Sequence, residues 1–326
     1  MSLRLSVLPL VLLAASPAFG APPRTTEMQA VSGPGEVDKT TQTEDVRFRT
    51  DGYERMTVPV QVAGTGPYRF LVDTGADRTA IARDLARRLN LKAGDSASLH
   101  SLGGVSRVTT ADVPGLQLTR KVVNVAGAPL LERSNMGADG ILGTDSLSSQ
   151  RILFDFQKQT MAIVPSKSRD AADERGSIVV TASRRNGRLI VTEARANNRR
   201  VTVVLDTGAQ VSIGNSALRN QLLGKRPLDE SRRIELHSVT GQVINGEWMM
   251  VRELEIGGVT LRDLAIVFAD AHTFDTLKLN DRPSLLLGMN AMRAFKKVSI
   301  DFANKKLRVV LPERSELDLR MASARL

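Results

Sequence analysis

The sequence contains no cysteine. That absence removes disulfides, thiolate catalysis, cysteine-based zinc sites, iron–sulfur clusters and lipid attachment through cysteine. Histidine is nearly as scarce: His100, His237 and His272 are the three, and their spacing fits no H-x-x-x-H pair, so no histidine-held catalytic metal and no other cofactor is expected. Nine Phe, two Tyr and one Trp in 326 residues leave little for base stacking. The Lys and Arg residues behind the net charge of +10 are scattered, not gathered in a stripe, so no specific nucleic-acid partner is expected. They read as a solvated cationic surface. No apolar run approaches the roughly 20 residues that a bilayer-spanning helix needs. No transmembrane segment is therefore expected in the mature chain.

What is present is ordinary for a folded protein, with 42% hydrophobic and 25% charged residues, and the length suits two domains. Residues 1–20 read as a signal peptide. Arg4 supplies the positive start, Leu5 to Ala15 the short apolar stretch, and Ala18 and Gly20 the small residues of a cleavage site. Cleavage near Gly20 and an exported protein, periplasmic or secreted, are expected. Residues 21–45 are rich in Pro, Gly, Thr and charge and read as a flexible leader. A polar linker at 166–175 then separates a first lobe, 46–165, from a second, 176–312, and a polar tail follows at 313–326.

The two lobes repeat each other. Val72-Asp73-Thr74-Gly75-Ala76 answers to Leu205-Asp206-Thr207-Gly208-Ala209, and Leu99 to Gly104 answers to Leu236 to Gly241. Ile141-Leu142-Gly143 answers to Leu286-Leu287-Gly288, and Phe154-Asp155-Phe156 to Ile300-Asp301-Phe302. The order is conserved between copies while the offset grows from 133 to 146 residues, as a duplication with loop insertions would leave it. Val58 to Val62 with Tyr68 to Val72, and Leu189 to Arg195 with Val201 to Leu205, are strand-like runs around turn residues and predict hairpins. Each second strand runs straight into Asp-Thr-Gly-Ala. Ala80 to Leu91, with Ile81, Leu85 and Leu89, predicts a helix, and a shorter helical run falls near Leu218 to Leu223. The class is mostly β with short helices.

A carboxylate at the end of an apolar strand is costly to bury and calls for a reason. Gly75 and Gly208 permit a sharp turn and the close approach of another backbone, while Thr74 and Thr207 can bond backbone groups of the opposite loop. If the lobes pack about a pseudo-two-fold axis, Asp73 and Asp206 meet on it. Two carboxyls at hydrogen-bond distance share one proton and titrate as a pair, offering a base and an acid at the same pH.

On these motifs the chain resembles the retropepsin-like and pepsin-like aspartic proteases, across both lobes from about Arg47 to about Leu311. One such tetrapeptide arises by chance with odds of about 0.002 at roughly 5% usage per residue; two in matched contexts are far rarer. The resemblance implies a bilobal fold of two duplicated retropepsin-like β-barrel lobes. It implies an aspartic endopeptidase with a polypeptide substrate, Asp73 and Asp206 as the catalytic pair, and support from Thr74, Gly75, Thr207 and Gly208. It further implies that the two apolar-apolar-Gly elements thread behind the catalytic loops. Leu102, Gly103 and Gly104, and Val239, Thr240 and Gly241, would belong to flap or flap-like hairpins over the substrate. Because each lobe carries one carboxylate, a monomer suffices.

Some residues depart from the family pattern. Tyr53 and Tyr68 both precede Asp73, so no flap tyrosine is available, as in retropepsins. The fourth motif residue is Ala76 or Ala209 rather than a hydroxyl residue. Loss of that hydrogen bond should raise the pair's titration and extend activity towards neutral pH. The second lobe has Leu-Leu-Gly-Met where the first has Asp139-Gly140-Ile141-Leu142-Gly143-Thr144-Asp145, a divergence expected to alter a loop or the substrate channel. His100 and His237 read as ordinary hydrogen-bonding residues at a hairpin base, and Asp155 and Asp301 as structural. Asp139 and Asp145 sit in turns, with Asp145 suited to cap a short helix. Two other readings of the whole stay open: a catalytically inactive peptide-binding module of the same fold, and an envelope scaffold using the basic surface.

Overall fold

The structure, a computed structural model, describes residues 26–27, 44–47, 49–50, 56–118, 122–147, 150–166, 177–185, 188–227 and 229–312. The signal-peptide assignment, the tail, and most of the leader and linker fall outside the described residues. Among the described residues, no helix is long and apolar enough to cross a membrane.

Each lobe is built around the hairpin its alternation predicts. In the first, strand Met56–Val62 pairs with Thr65–Val72, and in the second Arg188–Ala196 pairs with Arg199–Leu205. The second strand of each hairpin ends in three consecutive buried residues: Phe70, Leu71 and Val72, and Val203, Val204 and Leu205. Burial on both faces is the mark of a central strand, and each such side chain contributes about 2 kcal/mol by leaving water. The partner that covers this stretch comes from far along the chain. Gly140–Leu142 lies parallel to Phe70–Val72, and Ser284–Leu287 lies parallel to Thr202–Leu205. The apolar-apolar-Gly elements therefore run directly behind the two Asp-Thr-Gly loops, as the resemblance implies.

Both lobes curl into barrels. The first lobe's nine-stranded sheet is closed by a pairing of Gly104–Gln117 with Met56–Val62, and the second lobe's eight-stranded sheet by one of Arg188–Ala196 with Val243–Ile256. A third, six-stranded sheet belongs to neither lobe alone. At its centre Gln150–Asp155 pairs antiparallel with Lys297–Asp301, so the two halves of the duplication are joined by backbone hydrogen bonds. Asp155 accepts from the amides of Gln157 and Lys158, and Asp301 from that of Asn304, which makes both of them turn caps beside core strands.

One expected element differs. Ala80 to Leu91 was expected to be helical throughout, but Ala80–Ala82 is a strand and the helix runs over Arg83–Arg88. Ile81 is held between Gly140 and Leu130 on the neighbouring strands, and this ladder overrides the helical spacing of its side chain. The second helical run is observed as Ser216–Leu223, capped by Asn215, whose side chain accepts from the Leu218 amide.

Candidate active site

The Asp-Thr-Gly-Ala loops leave their strands at matched points. The Asp73 amide donates to the Leu142 carbonyl at 3.0 Å and the Asp206 amide to the Leu287 carbonyl at 3.1 Å, so the parallel strand behind each loop fixes where its carboxylate emerges. The loops then cross. Thr74 Oγ1 accepts from the Thr207 amide at 3.1 Å and donates to the Leu205 carbonyl at 3.3 Å. Thr207 Oγ1 accepts from the Thr74 amide at 3.0 Å and donates to the Val72 carbonyl at 2.7 Å. Both threonines are almost fully buried, at 1% and 0% exposure, so each hydroxyl has no water to replace its partners.

This reciprocal grip brings the carboxylates together. Gly75 lies against Asp206 and Gly208 against Asp73: a Cβ on Gly75 would stand 2.7 Å from Asp206 Cγ, and one on Gly208 would run into Asp73 Cγ. Glycine is therefore required at both positions by close approach. Asp73 Oδ1 accepts from the Gly75 amide at 2.8 Å, and Asp206 Oδ1 from the amides of Gly208 and Ala209 at 3.0 and 3.2 Å. Burial pushes the Asp73 carboxyl up to about 7, the Asp206 charge adding to it against the Gly75 amide and Arg188. Burial also raises Asp206, opposed first by Arg188, then by the Gly208 and Ala209 amides and a hydrogen bond with Asp73. Raised carboxyls in hydrogen-bond contact hold a proton between them into the neutral range.

The pair lies on the floor of a cleft of about 830 Å³ between the lobes. Two hairpins roof it. In the first lobe Ala93–Ser101 turns into Gly104–Gln117, and in the second Arg233–His237 turns into Val243–Ile256. Of the expected flap residues, Leu102, Val239 and Gly241 line the cleft. Gly103 and Thr240 instead mediate contact between the tips. Ser101 Oγ lies 2.9 Å from Thr240 Oγ1 and donates to Gln242 Oε1 at 3.1 Å, and a Cβ on Gly103 would stand 2.6 Å from that of Gln242. Gly104 pairs with Ser101 and closes the first turn, with φ at +133°.

The two matched histidines part company. His100 Nδ1 and His272 Nε2 are 2.9 Å apart with stacked rings, and His272 Nδ1 faces Asp275 Oδ2 at 3.3 Å. The His237 ring lies 3.9 Å from Glu235, and like His100 it lines the cleft. Asp139 pairs with Arg133 and accepts from the Arg69 amide, so it serves the lobe's framework. Asp145 opens the helix Thr144–Leu147 and accepts from the amide and hydroxyl of Thr79. The divergent second-lobe segment does the same work: Asn290 Oδ1 accepts from the amide and hydroxyl of Ser212. At this acceptor position the two lobes agree, because an amide oxygen accepts as a carboxylate does.

Sequence reasoning missed Arg188 and Asp77, which both line the cleft. Arg188 Nε donates to the Gly75 carbonyl at 2.7 Å. Burial raises the Asp77 carboxyl, with Arg188 the first influence opposing it. Asp77 immediately follows the first motif, where Gln210 follows the second, and that mismatch is a readable signal. Arg188 carries none, since its contact crosses from one lobe to the other.

Two regions of the chain, residues 58–146 and 192–291, match one protein-family model, described as aspartyl protease. The regions fall one in each lobe, together cover more than half of the chain, and contain Asp73 and Asp206 respectively. Among curated proteins no sequence matches the chain.

Proposed function

The chain belongs to the aspartyl protease family, and from that premise we propose that it is an aspartic endopeptidase. In this proposal Asp73 and Asp206 activate a water against peptide bonds of exported or envelope proteins. The reciprocal Thr74–Thr207 grip supports it most, because it seats two carboxyls against each other on the floor of a cleft between the lobes.

The reaction needs one ionised and one protonated carboxyl. A water held between them loses a proton to the ionised member as its oxygen bonds to the substrate carbonyl carbon. The protonated member gives its hydrogen to the carbonyl oxygen, so a neutral gem-diol forms and the pair ends with one proton, as it began. In the second half a carboxyl protonates the amide nitrogen, the carbon–nitrogen bond breaks, and a gem-diol hydroxyl returns its proton to the pair. Asp-based proteases are the known case of a carboxyl pair sharing a proton in this way. Export after cleavage near Gly20 and activity as a monomer complete the proposal, the second because both carboxyls come from one chain.

Digestion of a diverse peptide library by the wild type, Asp73→Ala and Asp206→Ala tests the assignment. Cleavage by the wild type alone is expected, with turnover lost by about 10²- to 10⁴-fold in either variant. An intact library with retained peptide affinity would identify a binding module instead.

A further inference from the structure

We propose that His100, His272 and Asp275 form a proton-operated catch on the roof of the cleft. They fasten the first hairpin to the second lobe near neutral pH and release it in weakly acidic solution. His272 is then a positioning residue, acting on the site through the roof. Its bearing on catalysis rests on the reading of the site given above; the catch itself does not.

The first hairpin lands on the helix His272–Thr276 of the second lobe. There the His272 amide donates to the Leu102 carbonyl at 2.9 Å, and the Leu102 side chain packs on the apolar cluster that holds Phe274 and Leu277. These contacts set where the hairpin rests. Beside them His100 Nδ1 stands 2.9 Å from His272 Nε2, with ring centroids 5.1 Å apart and the rings nearly parallel. The second hairpin lands differently: its Gly241 approaches Asn135, an uncharged amide, on the helix Arg133–Met136.

Asp275 gives the chain of bonds its direction. A carboxylate only accepts, so His272 Nδ1, facing Asp275 Oδ2 at 3.3 Å, carries the hydrogen. Asn280 donates to the other Asp275 oxygen and holds that carboxylate in place. A neutral His272 then offers a bare Nε2, and His100 must donate to it from Nδ1. One added proton is tolerated, because His272 can donate from Nε2 once the His100 hydrogen sits on that ring's other nitrogen. A second is not. Each facing nitrogen then carries a hydrogen, the bond has no acceptor, and two cations stand ring against ring.

The surroundings leave this step to the histidines. His100 is exposed, so protons reach it from solvent. Asp275 on the helix and Asp77 in the cleft, the latter within the field of His100, favour protonation of the rings. Arg107, opposite Ser98 on the same face of the hairpin, opposes it. Of the cleft's other charged side chains, Arg188 is anchored on the Gly75 carbonyl and Arg78 on that of Ala126, while Glu235 and His237 face each other on the opposite hairpin. The tie between the hairpin tips, from Ser101 to Thr240 and Gln242, consists of hydroxyls and an amide that do not titrate in this range.

The chain has no cysteine, so Val105→Cys on the first hairpin and Asp281→Cys beyond the helix supply one defined pair of nitroxide labels at exposed positions. Double electron–electron resonance then reads their separation across pH. With both histidines present, one short distance is expected at about pH 8, giving way to a longer majority component with a midpoint between about pH 5 and 6. His272→Gln keeps an acceptor oxygen for His100 and cannot be protonated, so the short distance should hold down to about pH 5. His272→Ala should show the longer component as the majority already at about pH 8. A distance that does not change with pH, a lengthening that persists in His272→Gln, or a hairpin that stays closed in His272→Ala would each overturn the catch. If the distances respond as expected while no peptide is cleaved at any pH, the catch stands and the protease reading falls.

Discussion

The two lobes hold their Asp-Thr-Gly-Ala loops alike and their roofing hairpins differently. Below the cleft the main supports of the loops are paired: Thr74 answers to Thr207, Leu142 to Leu287, and Asp145 with Thr79 to Asn290 with Ser212. Above it the correspondence fails. The first hairpin is caught by the second lobe, where the His272 amide donates to the Leu102 carbonyl and the His272 ring meets His100. The second hairpin meets the first lobe through the approach of Gly241 to Asn135 and through the hydroxyl cluster at the tips. Duplicated sequence is free to drift where each copy packs on its own. It is held where each copy completes the other.

That contrast is open to experiment. The largest effect should come from the grip, since Thr74→Val and Thr207→Val each orphan a buried amide and a buried carbonyl. A loss of about 3 kcal/mol in urea unfolding is expected for either, equal within error. A marked inequality would show that one lobe leans on the other.

Next comes the pH dependence of stability. The Asp73 carboxyl titrates near 3.8 when unfolded and is pushed up to about 7 in the folded protein, so the folded state binds the extra proton between those values. Stability should then fall as pH rises from about 4 to about 7 and level off above. Asp73→Asn removes its share of that slope, leaving the shares of Asp206 and Asp77, and should gain about 2 kcal/mol at neutral pH, measured by thermal unfolding across pH. A wild-type curve that rises through this window would contradict the burial of an uncompensated pair.

Exchanging the framework acceptors should give a smaller and unequal result. Asn290→Asp sets a carboxylate oxygen against the Ala265 carbonyl, to which Asn290 Nδ2 now donates, and should cost about 2 kcal/mol. Asp145→Asn keeps its acceptor role toward Thr79 and should cost under about 1 kcal/mol. Equal costs would mean that the two sites are more alike than their partners indicate. The smallest change is expected above the cleft: His272→Ala loosens only the first hairpin and should raise KM about threefold with little effect on kcat.

The part of this site that local spacing determines was legible in the sequence. Asp73, Asp206, their Thr-Gly partners and the elements behind them follow from a repeat whose residue types have few other uses. The hairpins followed from alternation around turn residues. What could not be read depends on distant partners. Ala80–Ala82 carries a helical pattern yet is claimed by two neighbouring strands. The six-stranded sheet joins the ends of both lobes, and no local signal announces it. Arg188 is one arginine among many until the lobes close. His100 and His237 matched in sequence, but the partner that separates them, His272, comes from a segment with no matched motif in the first copy.

The most direct measurement is the pH dependence of kcat/KM on a cleaved peptide, for wild type and for Asp73→Asn and Asp206→Asn. A pair sharing one proton should give a bell, its alkaline limb near the value of about 7 to which Asp73 is raised, and no turnover in either variant. A profile with a single limb, or turnover that persists in either asparagine variant, would contradict it.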